Sequence, residues 1–211
     1  MRCQAPPPFQ KTQAMNVWMP AAAGDPRVDL QEAEAASALG DFRQEADALA
    51  RTAASAEKIG ARGLLARARL LEGRSAYNQG KPEAGVRALN EARQLFQEVG
   101  DRAGVASTFN SLGTLLSDQK DVATGIAMYE ASLKQSEEIG DRKAMSAALN
   151  NMGITFKDMR QFDAALKAHE RSLALRREIG ERNWTAVSLS NIGVVYFEQD
   201  RFSEAEKYYR E

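Results

Sequence analysis

The 211-residue chain is 44% hydrophobic and 27% charged, enough apolar material to build a core under a water-exposed surface. Its 28 basic and 29 acidic side chains leave a formal net charge of -1, so no excess of either sign advertises nucleic acid or an anionic membrane as partner. Cys3 and His169 are the sole residues of their kinds, which excludes an intramolecular disulfide and leaves no zinc-ligand set. That usage points to a reducing, cytoplasmic setting.

Residues 1–24 are expected to form a disordered leader or inter-domain linker. Met1-Arg2 and the stretch Ala14 to Ala23 have the outline of a secretory signal. Pro6-Pro7-Pro8, Gln10, Lys11, Gln13 and Asn16 break up the apolar run such a signal needs, and proline and glutamine resist helix and core alike. No stretch approaches the ~18 apolar residues of a membrane span.

Asp25-Pro26 opens the first predicted helix, as N-cap and first-turn proline, running to about Leu39 with Leu30, Ala33, Ala36 and Leu39 on one face. Gly40 supplies a left-handed turn and Asp41 the next cap. The following helix, about Phe42 to Ile59, is expected to bury Ala46, Ala50, Ala53 and Ala56. Between Gly60 and Val99 a second hairpin of helices follows. Leu64, Leu65, Leu70 and Leu71 are its candidate apolar face, Gln79-Gly80-Lys81-Pro82 its turn, and Leu89, Ala92 and Phe96 the inner stripe of its partner helix.

From Gly100 onward the chain repeats itself every 40 residues. Val99-Gly100-Asp101-Arg102 returns as Ile139-Gly140-Asp141-Arg142 and as Ile179-Gly180-Glu181-Arg182. Phe109-x-x-Leu112-Gly113-x-x-Leu116 returns as Leu149-x-x-Met152-Gly153-x-x-Phe156 and Leu189-x-x-Ile192-Gly193-x-x-Tyr196. Each such glycine is followed by a small residue (Gly125, Ala165, Ala205) and then a ring (Tyr129, His169, Tyr209). Short turns such as Gln119-Lys120-Asp121 and Met159-Arg160-Gln161 predict antiparallel neighbours, and a fixed period of this size predicts a stacked array rather than one closed core. Glycine inside a helix costs about 1 kcal/mol against alanine. Its recurrence at one phase predicts a close approach between Gly113, Gly153 and Gly193 and the small residues of the partner helix.

These residues resemble the tetratricopeptide repeat, in the longer 40-residue form similar to kinesin light chains and many bacterial signalling proteins. The proline usual late in the second helix is missing. The resemblance implies an all-α fold, a right-handed α-solenoid of antiparallel helix pairs. About five repeats are expected over 25–211, at 25–59, 60–99, 100–139, 140–179 and an incomplete 180–211. It further implies that the first helix of each pair lines a concave groove for a peptide. By phase the groove residues are Asn110, Ser111, Thr114 and Ser117; Asn150, Asn151, Ile154 and Lys157; and Ser190, Asn191, Val194 and Phe197. Arg67, Arg74 and Tyr77 extend that face. A carboxamide both donates and accepts, so the asparagines suit a peptide backbone whatever its side chains. The competing reading is that they satisfy neighbouring helices inside the array.

No catalytic set is expected. His169 occupies a slot that holds Leu89, Tyr129 and Tyr209 elsewhere, which makes it a packing residue. Two Ser-x-x-Lys fragments, at Ser55 and Ser117, lack the companion motifs of penicillin-interacting enzymes. Phosphate loops, metal-protease motifs and calcium loops are absent from the sequence, and no cofactor is expected. Arg102, Arg142 and Arg182 are expected to pair with Glu98, Glu138 or Glu178. Two functions remain: a non-catalytic scaffold that docks a protein or peptide, or the sensory portion of a larger bacterial signalling protein. Phe202, Ala205, Tyr208 and Tyr209 lie on a face with no following helix, which predicts a continuing chain or a homodimer there.

Overall fold

A computed structural model describes residues 24–211; the predicted leader and Cys3 lie outside the described residues. Ten helices follow one another among them, with no strand. They are α1 (Pro26–Leu39), α2 (Phe42–Lys58), α3 (Arg62–Asn78), α4 (Pro82–Glu98), α5 (Arg102–Asp118), α6 (Val122–Ile139), α7 (Arg142–Asp158), α8 (Phe162–Glu178), α9 (Arg182–Phe197) and α10 (Phe202–Arg210). None is long and apolar enough to cross a membrane.

The turns explain why the helices alternate in direction. Asp25, Asp41, Asp101, Asp121 and Asp141 each cap a helix by accepting a hydrogen bond from a backbone N–H in its first turn. Each turn inside a pair places one residue in the left-handed region. Gly40 and Gly80 do so at no steric cost, whereas Lys120, Arg160 and Asp200 do so as non-glycine residues.

Each helix packs against its hairpin partner and against the next helix in the chain. Beyond that, α1 touches α3, α3 touches α5, α5 touches α7 and α7 touches α9, while second helices of successive pairs make no such approach. Close first helices and separated second helices bend the stack. The first helices therefore line the hollow side.

The core is correspondingly serial. One layer joins Ala66, Leu70, Leu89, Ala92 and Phe96 to Val105, Leu112 and Leu115 of the next pair; others gather around Leu30 and Leu49, and around Leu173, Leu189 and Ile192. Ser132 donates to the Ala106 carbonyl and Ser172 to the Ser146 carbonyl, both at 2.8 Å, a buried polar seam repeated with the array's own period. Leu89, Ala92 and Phe96 form the predicted stripe.

Several expectations need correction. Of the expected alanine stripe, Ala56 is buried, Ala53 half-buried, and Ala46 and Ala50 exposed; α2 also buries Glu45, Ala48, Leu49 and Thr52, because its inner face is turned by about one residue from the alanine count. Leu39 is 83% exposed at the end of α1, while Leu30, Ala33 and Ala36 are buried. Of the four leucines offered for α3, Leu70 is buried and Leu64, Leu65 and Leu71 are half-buried, with Ala66 and Ala68 taking the innermost places.

The helical glycines sit at close approaches, but the ring four residues beyond the small residue supplies the nearest atoms. A Cβ on Gly113 would stand 2.5 Å from the Tyr129 ring, on Gly153 2.6 Å from His169, and on Gly193 2.5 Å from Tyr209. The small residue's carbonyl comes next at Gly113, 3.0 Å away on Gly125. The first repeat departs from the rule. Glu45 fills the slot of Gly85, Gly125, Ala165 and Ala205, is 1% exposed, and accepts a 2.6 Å hydrogen bond from Ser75 of α3.

Candidate functional site

The inner faces of α5, α7 and α9 carry a ladder of contacts between repeats. Asn151 Nδ2 donates to Asn110 Oδ1 at 3.1 Å, and Asn191 Nδ2 to Asn150 Oδ1 at 2.8 Å. The Tyr77 hydroxyl donates to Asp118, and Lys157 Nζ to Glu198 Oε1 at 3.4 Å. All four pairs span 41 positions. One repeat plus one residue is the offset that brings neighbouring first helices face to face.

The asparagines thus spend part of their capacity on each other. Each carboxamide has one oxygen and two N–H donors, so a single bond leaves the other half uncommitted. Asn110 and Asn150 keep N–H groups, and Asn151 and Asn191 keep oxygens. Lys157 is held by Asp158 at 2.8 Å as well as by Glu198, and the Asp158 carboxylate keeps its ammonium pKa above the ordinary range. Hydrogen bonding to Asp118, then burial, pushes the Tyr77 phenol up to about 12.

Asn110, Asn150 and Asn151 line one cleft of about 630 Å³, together with Arg74, Ser107 and Trp184. Thr114, Ser117, Asn151 and Ile154 line a second of about 670 Å³, beside Tyr77 and Asp118. Ser111 and Thr114 adjoin a smaller one with Arg74. Ser190 opens elsewhere, on a cleft of about 450 Å³ at the end of the stack with Tyr208 and Tyr209. Ile154 and Phe197 are exposed, whereas Asn191, Val194 and Lys157 are half-buried. Thr114 receives the Tyr129 hydroxyl at 3.1 Å, which joins the inner face of α5 to α6.

Sequence phase did not single out Ser107, Lys143, Arg176 or Trp184, all in or beside the first cleft. Arg176 is 4% exposed, pairs with Glu181 and lies 5.0 Å from the Trp184 ring centroid. A signal was present: Trp184 stands where Leu64, Gly104 and Ala144 stand in the preceding repeats. His169 is buried, with Nδ1 lacking a hydrogen-bond partner; burial, then the Lys157 charge, lowers its pKa to about 4. It meets Gly153 as a packing ring. The expected arginine pairing runs within each repeat, from first helix to the end of the second: Arg62 to Glu98, Arg102 to Glu138 and Arg142 to Glu178. Among the described residues no group of three or more His, Cys, Asp or Glu could hold a metal ion.

A bent stack of helix hairpins with a polar inner face defines a helical-repeat solenoid. The family profile for the tetratricopeptide repeat matches residues 105–178 and 144–211, half of the chain, and the chain belongs to that family. The tetratricopeptide-repeat fold is generally that of an interaction module. The sequence matches no curated protein. Among solved structures it resembles BtubC (BKLC) from P. vanneervenii, at 20% identity and a TM-score of 0.73 over 89% of this chain and 80% of that one. It also resembles a signal-transduction ATPase with numerous domains and a tetratricopeptide repeat sensor, from Pyrococcus horikoshii, at 14% identity and a TM-score of 0.71. That match covers 87% of this chain and 28% of the other. A putative kinesin light chain from Podospora anserina, with TPR-like repeats, matches at 12% identity and a TM-score of 0.68 over 91% and 94% of the two chains. At these identities the likeness is one of fold.

Proposed function

We propose that the chain is a non-catalytic, cytoplasmic protein-interaction scaffold that docks a peptide segment of a partner protein along the hollow of its first helices. The supporting observation is the asparagine ladder: Asn110, Asn150, Asn151 and Asn191 are aligned by their mutual bonds and retain both donors and acceptors. Such a row suits an extended backbone, whose own donors and acceptors alternate. Ser111, Thr114, Ile154, Lys157, Ser190 and Val194 complete the proposed groove. The near-neutral net charge gives nucleic acid no electrostatic footing.

The test replaces Asn150, Asn151 and Asn191 with alanine in the full chain. A photo-cross-linker at Thr114, with a control at Lys134 on the outer face, reports where a captured protein sits. Capture at Thr114 that disappears in the alanine variant, with helical content unchanged, is the expected result. Capture unaffected by the substitutions removes the groove reading.

A second reading makes the array the sensory part of a larger signalling protein, as the match to 28% of the Pyrococcus ATPase suggests. One further contact belongs with it. Tyr209 is 51% exposed and Phe202 56%, while the sister residues Leu89, Tyr129 and His169 of the Tyr209 slot are 1%, 2% and 1% exposed. That face suits a homodimer contact, checked by mass in solution across concentrations.

A further inference from the structure

The cleft that holds Asn110, Asn150 and Asn151 is chemically uneven from end to end. On α3 it begins at Arg74, whose guanidinium is held by the hydroxyls of Ser107 at 2.8 Å and Ser111 at 2.9 Å. No carboxylate lies within ion-pair distance of Arg74 among the described residues. The other cations of the cleft are answered: Lys143 meets Glu181 at 3.1 Å, and Arg176 pairs with the same carboxylate. Arg74 is thus a fixed, uncompensated positive charge whose Nη1 is uncommitted.

At the far end, on α9, Trp184 is 50% exposed and stands over Arg176. Its indole offers the largest apolar face of the cleft. Both end residues break the repeat. Later pairs place Thr114, Ile154 and Val194 in the slot of Arg74, and earlier ones place Leu64, Gly104 and Ala144 in the slot of Trp184. Trp184 covers the Arg176 guanidinium within the array but leaves half of its own surface to the hollow, and Arg74 reaches the same hollow with its charge unanswered.

We infer that the occupant of this cleft is an extended segment of a partner protein with an acidic side chain that pairs with Arg74 and, roughly nine or ten residues away, an apolar side chain that covers Trp184. The spacing follows from geometry. Three steps between neighbouring first helices, each about 8–10 Å, separate α3 from α9, the offset of Trp184 from Val194 in the Arg74 slot adds about 15 Å along the helix axis, and an extended chain advances about 3.3 Å per residue. Between the two anchors the asparagine row faces backbone rather than side chains, so the ends carry selectivity. A guanidinium held by two neutral hydroxyls is positioned without being neutralised, which favours a carboxylate over a neutral or basic group. The inference rests on the groove reading and adds to it the class of segment recognised.

A randomised 16-residue peptide display library, panned on the full 211-residue chain, tests it, with the three-asparagine variant, Arg74→Gln and Trp184→Ala panned in parallel. Enriched peptides should carry Asp or Glu and an aromatic or aliphatic residue at about that spacing. For a synthetic consensus peptide, Arg74→Gln should weaken binding about tenfold and Arg74→Lys less. Neutralising the peptide's acidic residue should add nothing further in Arg74→Gln. Trp184→Ala should show the same non-additivity with the apolar residue. Melting curves identify any variant that has lost its fold. Peptides that depend on the asparagines but carry no acidic residue, or whose losses add independently of Arg74, overturn the inference and leave the groove standing. Peptides indifferent to the asparagines, or no enrichment, overturn the groove itself.

Discussion

The ring of Phe96 fills the space that a side chain at Gly104 would need: a Cβ there would stand 2.3 Å from Phe96 Cδ1. The two residues face each other across the junction between α4 and α5, and Phe96 is 2% exposed. The same two slots hold Ala56 and Leu64, Ser136 and Ala144, and Arg176 and Trp184 in the other repeats. Where one partner is large, the other is small; where both are large, they stack as cation on ring.

This pairing predicts a rescue. Phe96→Ala should cost about 3–5 kcal/mol, as deletion of a buried ring does, and Gly104→Leu about 1–3 kcal/mol by overpacking. The double variant reproduces the Ala56–Leu64 arrangement and should be more stable than the sum of the two losses allows. Urea denaturation of all four proteins measures the coupling; strict additivity would show that the two sites do not share one space.

Stability should fall in mild acid because of His169. Its folded pKa is lowered to about 4 from an ordinary 6.5, so between those values the unfolded chain binds a proton that the folded one does not. The contribution is complete above pH 6.5 and is lost as pH drops toward 4. Between pH 6.5 and 5 the loss amounts to about 2 kcal/mol. His169→Leu, which copies Leu89 in its slot, should remove that part of the slope; an unchanged slope in chemical denaturation would assign it to other groups.

The left-handed turn residues give a prediction of opposite sign. Lys120 sits at φ 70 where Gly80 sits in the preceding repeat. Lys120→Gly should be neutral or stabilising by up to about 1 kcal/mol, since relief of side-chain strain offsets the added freedom of the unfolded chain. A clear drop in melting temperature would count against strain at that turn.

Gly153→Leu should destabilise the array by several kcal/mol, because the added side chain meets the buried His169 ring within the first carbon. Gly153→Ala should cost less, although its Cβ, 2.6 Å from the ring, still requires His169 to move by about 1 Å to reach van der Waals distance. A melting temperature equal to wild type for the leucine variant would remove the close contact.

Much of this was legible in the residues. A 40-residue recurrence of glycine, small residue and ring states that identical hairpins stack, because only a common neighbour asks for the same volume at the same phase. Caps at Asp25 and Asp41 were readable for the same reason: a short acceptor just before a helix answers backbone groups one turn away. The stripe of α2 was not. Alanine count alone does not say which face turns inward, and Glu45 was buried there only because Ser75 of the next pair supplies a donor.

The order of helices and their turns were therefore written in the chain itself, being set by contacts within about one period. Tertiary structure alone decided what each groove residue does with its polar atoms. That Asn151 meets Asn110, that Lys157 is spent on Glu198, and that Arg74 meets only hydroxyls depend on the bend of the stack, which brings together residues more than thirty positions apart. No local pattern encodes that curvature, because it arises from the summed packing of every pair upon the next.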